Sequence, residues 1–202
     1  AEVTVVEADP ALTWASSALS AGSIRQQFST PVNVALSQFG LEVITRADEW
    51  LGLPGGAAEL GFVPSGYLFV ATSRGEAALR AQTGVPQALG APVSLCSPET
   101  AARRWPWLRT DDLAIAAFGE AGEGWFDGAS LALALGRRAR ALGAQWVKGR
   151  VTGFDEDGRG HLRAARLDDG RNLEADVFVC AAGAWSGHLG RLAGVHIPVH
   201  AR

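Results

Sequence analysis

The chain has 202 residues, 48% of them hydrophobic and 19% charged, with a formal net charge of −3 at pH 7. That length has room for one large domain or two smaller lobes with a real core. The charge gives no basic patch for nucleic acid, and no apolar run approaches the roughly 20 residues that span a bilayer. Residues 2–7 read as a buried parallel strand, short, β-branched and closed by the acid Glu7. A loop of small residues follows over 14–22. Thr30 then caps a helix with Pro31 at its first position, and Leu36, Phe39, Val43, Ile44, Ala47 and Trp50 give it an apolar stripe before 51–56 end it.

The middle of the chain is richer in strand signals. Residues 62–64 and 67–71 flank Ser65-Gly66, a hairpin pattern. A helix is predicted over 74–89, weakened by Gly84 and Pro86, then a strand over 93–96. Ser97-Pro98-Glu99 starts a further helix that closes at 103–107, where Trp105 and Trp107 read as packing anchors. A strand is predicted over 113–118. Residues 119–124 hold Gly119, Gly122 and Gly124 and read as a linker or a loop of close approach.

Asp127 caps a strong helix over 128–142, stopped by Gly143. Strands follow at 145–148, 150–155 and 162–167, the last two joined by the turn 157–160. A second tight turn at 168–170 leads to a strand at 171–174. Val177-Phe178-Val179-Cys180 is a continuous apolar run, expected to be a buried central strand. It empties into Ala181-Ala182-Gly183-Ala184-Trp185-Ser186 and a short helix to Leu192. The order is α/β, then β-rich with helices, then α/β again, as when one lobe interrupts another.

Two features carry chemistry. An acid that closes a parallel strand is where dinucleotide-binding folds hold the adenosine ribose, and Glu7 is so placed. The Gly-rich phosphate turn of such folds belongs roughly 20 residues upstream. Only Ala1-Glu2 precede the strand, and there is no methionine, so the sequence reads as the interior of a larger enzyme. Near the other end, a strand that stops in Ala-Ala-Gly-Ala lets backbone approach a ligand closely. By position alone each has a plain alternative: a surface acid, and tight strand-to-helix packing. Cys96 and Cys180 stand apart without a CxxC partner, which fits reduced thiols. His161, His188, His196 and His200 have no metal-ligand spacing, so no metal site is expected.

Taken together, Val3-Thr4-Val5-Val6-Glu7, Ser16-Ser17-Ala18-Leu19-Ser20-Ala21-Gly22-Ser23-Ile24-Arg25, Gly66-Tyr67-Leu68-Phe69-Val70-Ala71, Gly124-Trp125-Phe126-Asp127, Arg150-Val151-Thr152-Gly153-Phe154 and Val179-Cys180-Ala181-Ala182-Gly183-Ala184-Trp185-Ser186 resemble the D-amino-acid oxidase-like superfamily of FAD-dependent oxidoreductases. That superfamily includes glycine and sarcosine oxidases, and the likeness runs toward bacterial sarcosine-oxidase-β-like members. The resemblance implies an α/β fold: an FAD-binding Rossmann-like lobe, residues 1–60 and 125–202, interrupted by an α+β substrate lobe at 61–124. It implies FAD as cofactor, with Glu7 on the ribose and Ser16, Ser17, Ala21 and Gly22 passing the pyrophosphate and flavin. Val151 would read adenine through its backbone, and Ala182, Gly183 and Trp185 would complete the cofactor set.

Arg25 and Tyr67 are the candidate catalytic residues. Arg25 falls where sarcosine oxidases place an arginine against a substrate carboxylate, and a guanidinium fork matches both carboxylate oxygens. Tyr67, the one tyrosine, would face the substrate cavity or serve as a hydrogen-bonded core residue. The implied reaction is oxidation of a small amine or amino acid at its CH–NH or CH–NH2 bond, by hydride transfer to flavin. Two alternatives stay open: a non-catalytic flavoprotein scaffold, and an NAD-dependent Rossmann enzyme. The expected partner is a small molecule, with no nucleic acid and no membrane span; the compartment is the cytoplasm and the oligomeric state is left open. Without a phosphate turn, the 202 residues alone are expected to bind FAD weakly or not at all.

Overall fold

The computed structural model describes residues 2–199. In chain order, β1 (Thr4–Glu7) leads to α1 (Ser16–Leu19), β2 (Ser23–Ile24), α2 (Pro31–Thr45) and α3 (Ala47–Leu51). Then come β3 (Tyr67–Ala71), α4 (Glu76–Ala88), β4 (Val93–Cys96), α5 (Pro98–Arg104), β5 (Ile115–Gly119) and β6 (Gly124–Trp125). The rest is α6 (Gly128–Ala141), β7 (Gln145–Lys148), β8 (Val151–Glu156), β9 (Leu162–Leu167), β10 (Asn172–Glu174) and α7 (Ser186–Leu192). The fold is mixed α/β. It divides into two compact units: one built from the chain up to Leu19 and from Gly136 onward, the other from Ser20–Leu135.

In the first unit β1 and β7 pair in parallel, with Thr4 opposite Gln145 and Glu7 opposite Lys148. The strand is half-buried rather than buried, since it has this one ladder partner among the described residues. Strands β8, β9 and β10 form an antiparallel meander. Its first turn is held by Asp157, which accepts the N–H groups of Arg159 (2.8 Å) and His161 (3.0 Å). Those bonds hold its carboxyl down at about 2.

The expected central strand at 176–181 is not one. No strand pairs with it, and Val177 and Val179 are 75% and 84% exposed, with Cys180 exposed as well. An apolar run becomes a strand only where a neighbour takes its backbone N–H and C=O groups, and none does so among the described residues. The Phe178 ring alone packs inward, edge-on against Phe154 at 5.5 Å.

In the second unit β5 lies between β3 and β4, antiparallel to both, and all five of its residues are buried. Leu79 of α4 joins Ala91, Val93, Ile115 and Ala117 in one apolar cluster. A second cluster gathers Ile24, Ile44, Ala47, Leu51, Leu53, Leu60 and Ala134. The Ser65-Gly66 hairpin does not form. Tyr67–Ala71 pairs with Ile115–Gly119 instead, and Val63 bridges Trp125. Gly66 turns with φ +75°, and a Cβ there would run into the Phe118 ring.

The helix from Pro31 breaks at Arg46, which leaves the helical region at ψ 36°. Its buried positions are Val34 and Ile44, whereas Leu36, Phe39 and Trp50 of the expected stripe are exposed. Phe39 and Trp50 cover each other edge-to-face at 5.4 Å. Trp105 does anchor, 5.0 Å from Phe118, but Trp107 is exposed. Asp127 caps α6 as expected, accepting the Ser130 N–H at 2.9 Å.

Candidate functional site

The short strand β2 carries Arg25 just beyond its end. Ile24 is pinned in the apolar cluster, and the Arg25 carbonyl accepts the Ser37 hydroxyl. The Arg25 guanidinium carbon lies 4.7 Å from the Phe28 ring centroid, 5.5 Å from that of Tyr67 and 5.4 Å from that of Phe69. The structure thus brings Arg25 and Tyr67 together. Tyr67 is half-buried, its ring stacks on Phe69 at 5.5 Å, and its hydroxyl has no partner among the described residues.

Arg25 Nε is buried and has no hydrogen-bond partner among the described residues. A buried donor left unpaired costs about 1–3 kcal/mol. Aromatic faces attract the cation but do not satisfy its N–H groups. An anion with a planar pair of oxygens would supply what is missing.

Behind Arg25 stands a residue that sequence reasoning missed. Glu123, in the glycine-rich stretch that reads as a linker or a loop of close approach, is 0% exposed. Its Oε1 accepts the backbone N–H of Gln26 (2.6 Å) and of Gln27 (3.2 Å), and its Oε2 accepts Gln27 Nε2 (2.8 Å). Gln27 Nε2 also donates to the Tyr67 carbonyl at 2.8 Å. The glycines make room: a Cβ on Gly119 would overlap Glu123 Oε2, and one on Gly124 would overlap the Val63 carbonyl. Three glycines around one acid were the available signal.

Burial pushes the Glu123 carboxyl above the usual carboxylate range, against the pull of its three N–H bonds and of the Arg25 charge. A raised value means that the folded state holds the proton more tightly than the unfolded chain. Its contribution is therefore complete below the ordinary 4.5 and is lost as pH rises through the folded value. We expect the stability of the wild type minus that of Glu123→Gln, from urea unfolding, to fall as pH rises above the ordinary 4.5. A flat or rising difference would contradict this.

The first unit holds most of the other candidates. Glu7 sits at the carboxyl end of β1, where its Oε1 accepts the Asp9 N–H at 2.8 Å and its second oxygen has no partner among the described residues. Ser16 and Ser17 open the four-residue α1 within the expected loop. Val151 begins β8, half-buried, opposite Leu167. Ala182 precedes a single 3-10 turn, Gly183–Trp185, in which Gly183 has φ +53° and nothing within reach of a Cβ. Trp185 is exposed. Ala21 and Gly22 belong to the second unit, Ala21 exposed and Gly22 buried against Phe126. Among the described residues no three His, Cys, Asp or Glu side chains gather as a metal site, and no helix is long and apolar enough to cross a membrane.

Comparison with known proteins gives this geometry a context. A family model described as FAD dependent oxidoreductase matches residues 1–202. The chain is 36% identical to the bovine FAD-dependent oxidoreductase domain-containing protein 1, over 96% of the chain and 43% of that protein. It is 27% identical to the mitochondrial sarcosine dehydrogenase of Mus musculus, over 89% of the chain and 20% of that protein. Among solved structures, the glycine oxidase of Geobacillus kaustophilus superposes with a TM-score of 0.75 at 27% identity, covering 96% of the chain and 52% of that protein. The L-proline dehydrogenase of P. horikoshii gives 0.80 at 24% identity, over 96% and 50%, a likeness of fold.

The chain spans about two fifths of the curated relatives it matches, 42% and 43% for the first two. Those relatives are from frog and cattle, which gives no support to a bacterial origin. The NAD alternative gives way to FAD, the cofactor of the matched family. Two features fit that group: a carboxylate with a free oxygen at the end of a parallel strand, for ribose hydroxyls, and a left-handed glycine open to close approach. With the family model matched along its whole length, the chain belongs to the FAD-dependent oxidoreductases of the D-amino-acid oxidase type.

Proposed function

We propose that the protein oxidises a small amine or amino acid, of the glycine, sarcosine or D-amino-acid type, at its CH–NH or CH–NH2 bond. The observation that carries this reading is Arg25, whose buried Nε–H lacks a partner among the described residues and whose guanidinium stands among three aromatic rings. Such a group is built to take a carboxylate. The names of two matched proteins, a sarcosine dehydrogenase and a glycine oxidase, belong to the same substrate class.

FAD, when bound, supplies the two-electron acceptor. The chain's part is to bind and orient. Arg25 holds the substrate carboxylate through its fork of N–H groups, and Tyr67, Phe69 and Phe28 lower the local dielectric, so that the ion pair is stronger than in water. No acid or base of this chain is assigned a proton, because a neutral amine needs none removed before oxidation.

The cofactor roles are part of the proposal. Glu7 takes the ribose, Ser16, Ser17, Ala21 and Gly22 the pyrophosphate and flavin, Val151 the adenine, and Ala182, Gly183 and Trp185 complete the set. The proposed cofactor lobe is 1–60 with 125–202, and the substrate lobe is 61–124. The compact units divide elsewhere, at 19/20 and 135/136, so residues 20–60 and 125–135 belong with the middle of the chain. Two unpaired cysteines fit a reducing compartment, in the first instance the cytoplasm.

Anaerobic addition of glycine, sarcosine or a D-amino acid to the full-length flavin-loaded protein tests this reading. We expect the yellow flavin absorbance to bleach with at least one of them. Persistence of the colour with all three would refute it and favour a non-catalytic scaffold.

A further inference from the structure

Glu123 has no part in the chemistry just proposed, yet it is an ionisable residue with 0% of its surface exposed. A carboxylate withdrawn from water is expensive even when hydrogen-bonded, and an apolar side chain of similar size would fill the same space more cheaply. Its surroundings are tailored to it. Gly119 leaves room for its carboxyl, Gly122 turns with φ +72°, and the Gly122 carbonyl accepts Gln26 Nε2 at 3.2 Å.

All three of its bonds go to the two residues that follow Arg25. Gln27 spends both hydrogens of its side-chain amide, one on Glu123 and one on the Tyr67 carbonyl. Tyr67 in turn lies on the strand whose Tyr67 and Phe69 rings flank the guanidinium. One carboxylate therefore fixes the backbone that presents Arg25 and, through Gln27, the strand that walls it.

We propose that Glu123 is a positioning residue for Arg25: its hydrogen bonds to Gln26 and Gln27 hold the guanidinium against β3 with Nε–H free for a substrate carboxylate. This rests on the reading of Arg25 given above. No amide can replace the acid without loss. If its oxygen keeps the two backbone N–H groups, its –NH2 faces the –NH2 of Gln27; reversed, it faces the backbone donors. Glu123→Gln therefore costs at least one of the three bonds while only exchanging an oxygen for –NH2, and Gln27→Ala removes the side-chain link to Glu123 and to the Tyr67 carbonyl while leaving the two backbone bonds.

The test is calorimetric titration of the full-length flavin-loaded protein with benzoate and with benzamide, which share a ring but differ in charge. Arg25→Met is expected to weaken benzoate by roughly tenfold or more and to leave benzamide within about twofold. Glu123→Gln and Gln27→Ala should each weaken benzoate by roughly three- to tenfold, spare benzamide, and add nothing in an Arg25→Met background.

Equal losses for both ligands, or losses that multiply with Arg25→Met, would show a merely structural role and overturn the inference. Loss in Arg25→Met with none in Glu123→Gln or Gln27→Ala would overturn the inference alone. A wild type that does not prefer benzoate to benzamide, or an Arg25→Met variant that retains the preference, would overturn the reading of Arg25 and the inference with it. If Glu123→Gln fails to fold, Gln27→Ala carries the same comparison.

Discussion

Arg25→Met should raise the half-saturating concentration of a carboxylate-bearing substrate by roughly 10- to 150-fold, the equivalent of about 1.5–3 kcal/mol for a charged hydrogen bond. Methionine keeps an unbranched stem but removes the guanidinium, the group that lies 4.7 Å from the Phe28 ring centroid, 5.5 Å from that of Tyr67 and 5.4 Å from that of Phe69. The same substitution should leave an amine without a carboxylate almost unaffected. Arg25→Lys should fall between the two, since it keeps the charge but loses the planar fork. Steady-state kinetics with sarcosine and with dimethylamine would show the contrast. Equal loss on both substrates would mean that Arg25 supports the fold rather than the substrate.

The largest effect on stability is expected at Gly22. It has φ +63°, its carbonyl accepts the Phe126 N–H at 2.8 Å, and a Cβ would overlap the Phe126 carbonyl oxygen. The obstructing atom is backbone and cannot swing aside. Relief would part β2 from β6, where Ser23 pairs with Trp125 and Ile24 with Gly124. Gly22→Ala should therefore cost about 3 kcal/mol or more. Gly143→Ala is the control. Its φ is +95°, but nothing lies within 4 Å of a Cβ there, so only the left-handed backbone is penalised, by about 1–2 kcal/mol. Equal midpoints in urea for the two variants would show that the close approach at Gly22 has no energetic weight.

Where the structure follows the sequence, the cause is local. The strand ending at Glu7, the helix that Asp127 starts and Gly143 stops, and the turn organised by Asp157 each carry their signal within a few residues. Ser97 likewise caps its helix, accepting the Thr100 N–H at 3.3 Å. Where the two differ, a distant partner decides. Residues 176–181 are apolar enough for a strand, yet no neighbour completes a ladder with them. The expected hairpin at Ser65-Gly66 loses to β5, which pairs with β3 from some fifty residues away.

The stripe through Leu36, Phe39 and Trp50 had helical spacing, but the break at Arg46 and the burial of Val34 and Ile44 turn another face inward. At the candidate site the sequence singles out Arg25 and Tyr67, which lie side by side, but not the rings of Phe28 and Phe69 beside Arg25. Glu123 was hidden for the same reason as the hairpin partner: its hydrogen bonds reach residues 96 and 97 positions away. No window of sequence contains both ends of that contact.

A structure of the full-length flavin-loaded protein with benzoate bound examines the centre of the account directly. The account predicts a carboxylate oxygen about 2.8 Å from Arg25 Nε, with the rings of Phe28, Tyr67 and Phe69 still around the guanidinium. Benzoate bound elsewhere, with Arg25 Nε still lacking a partner, would contradict it.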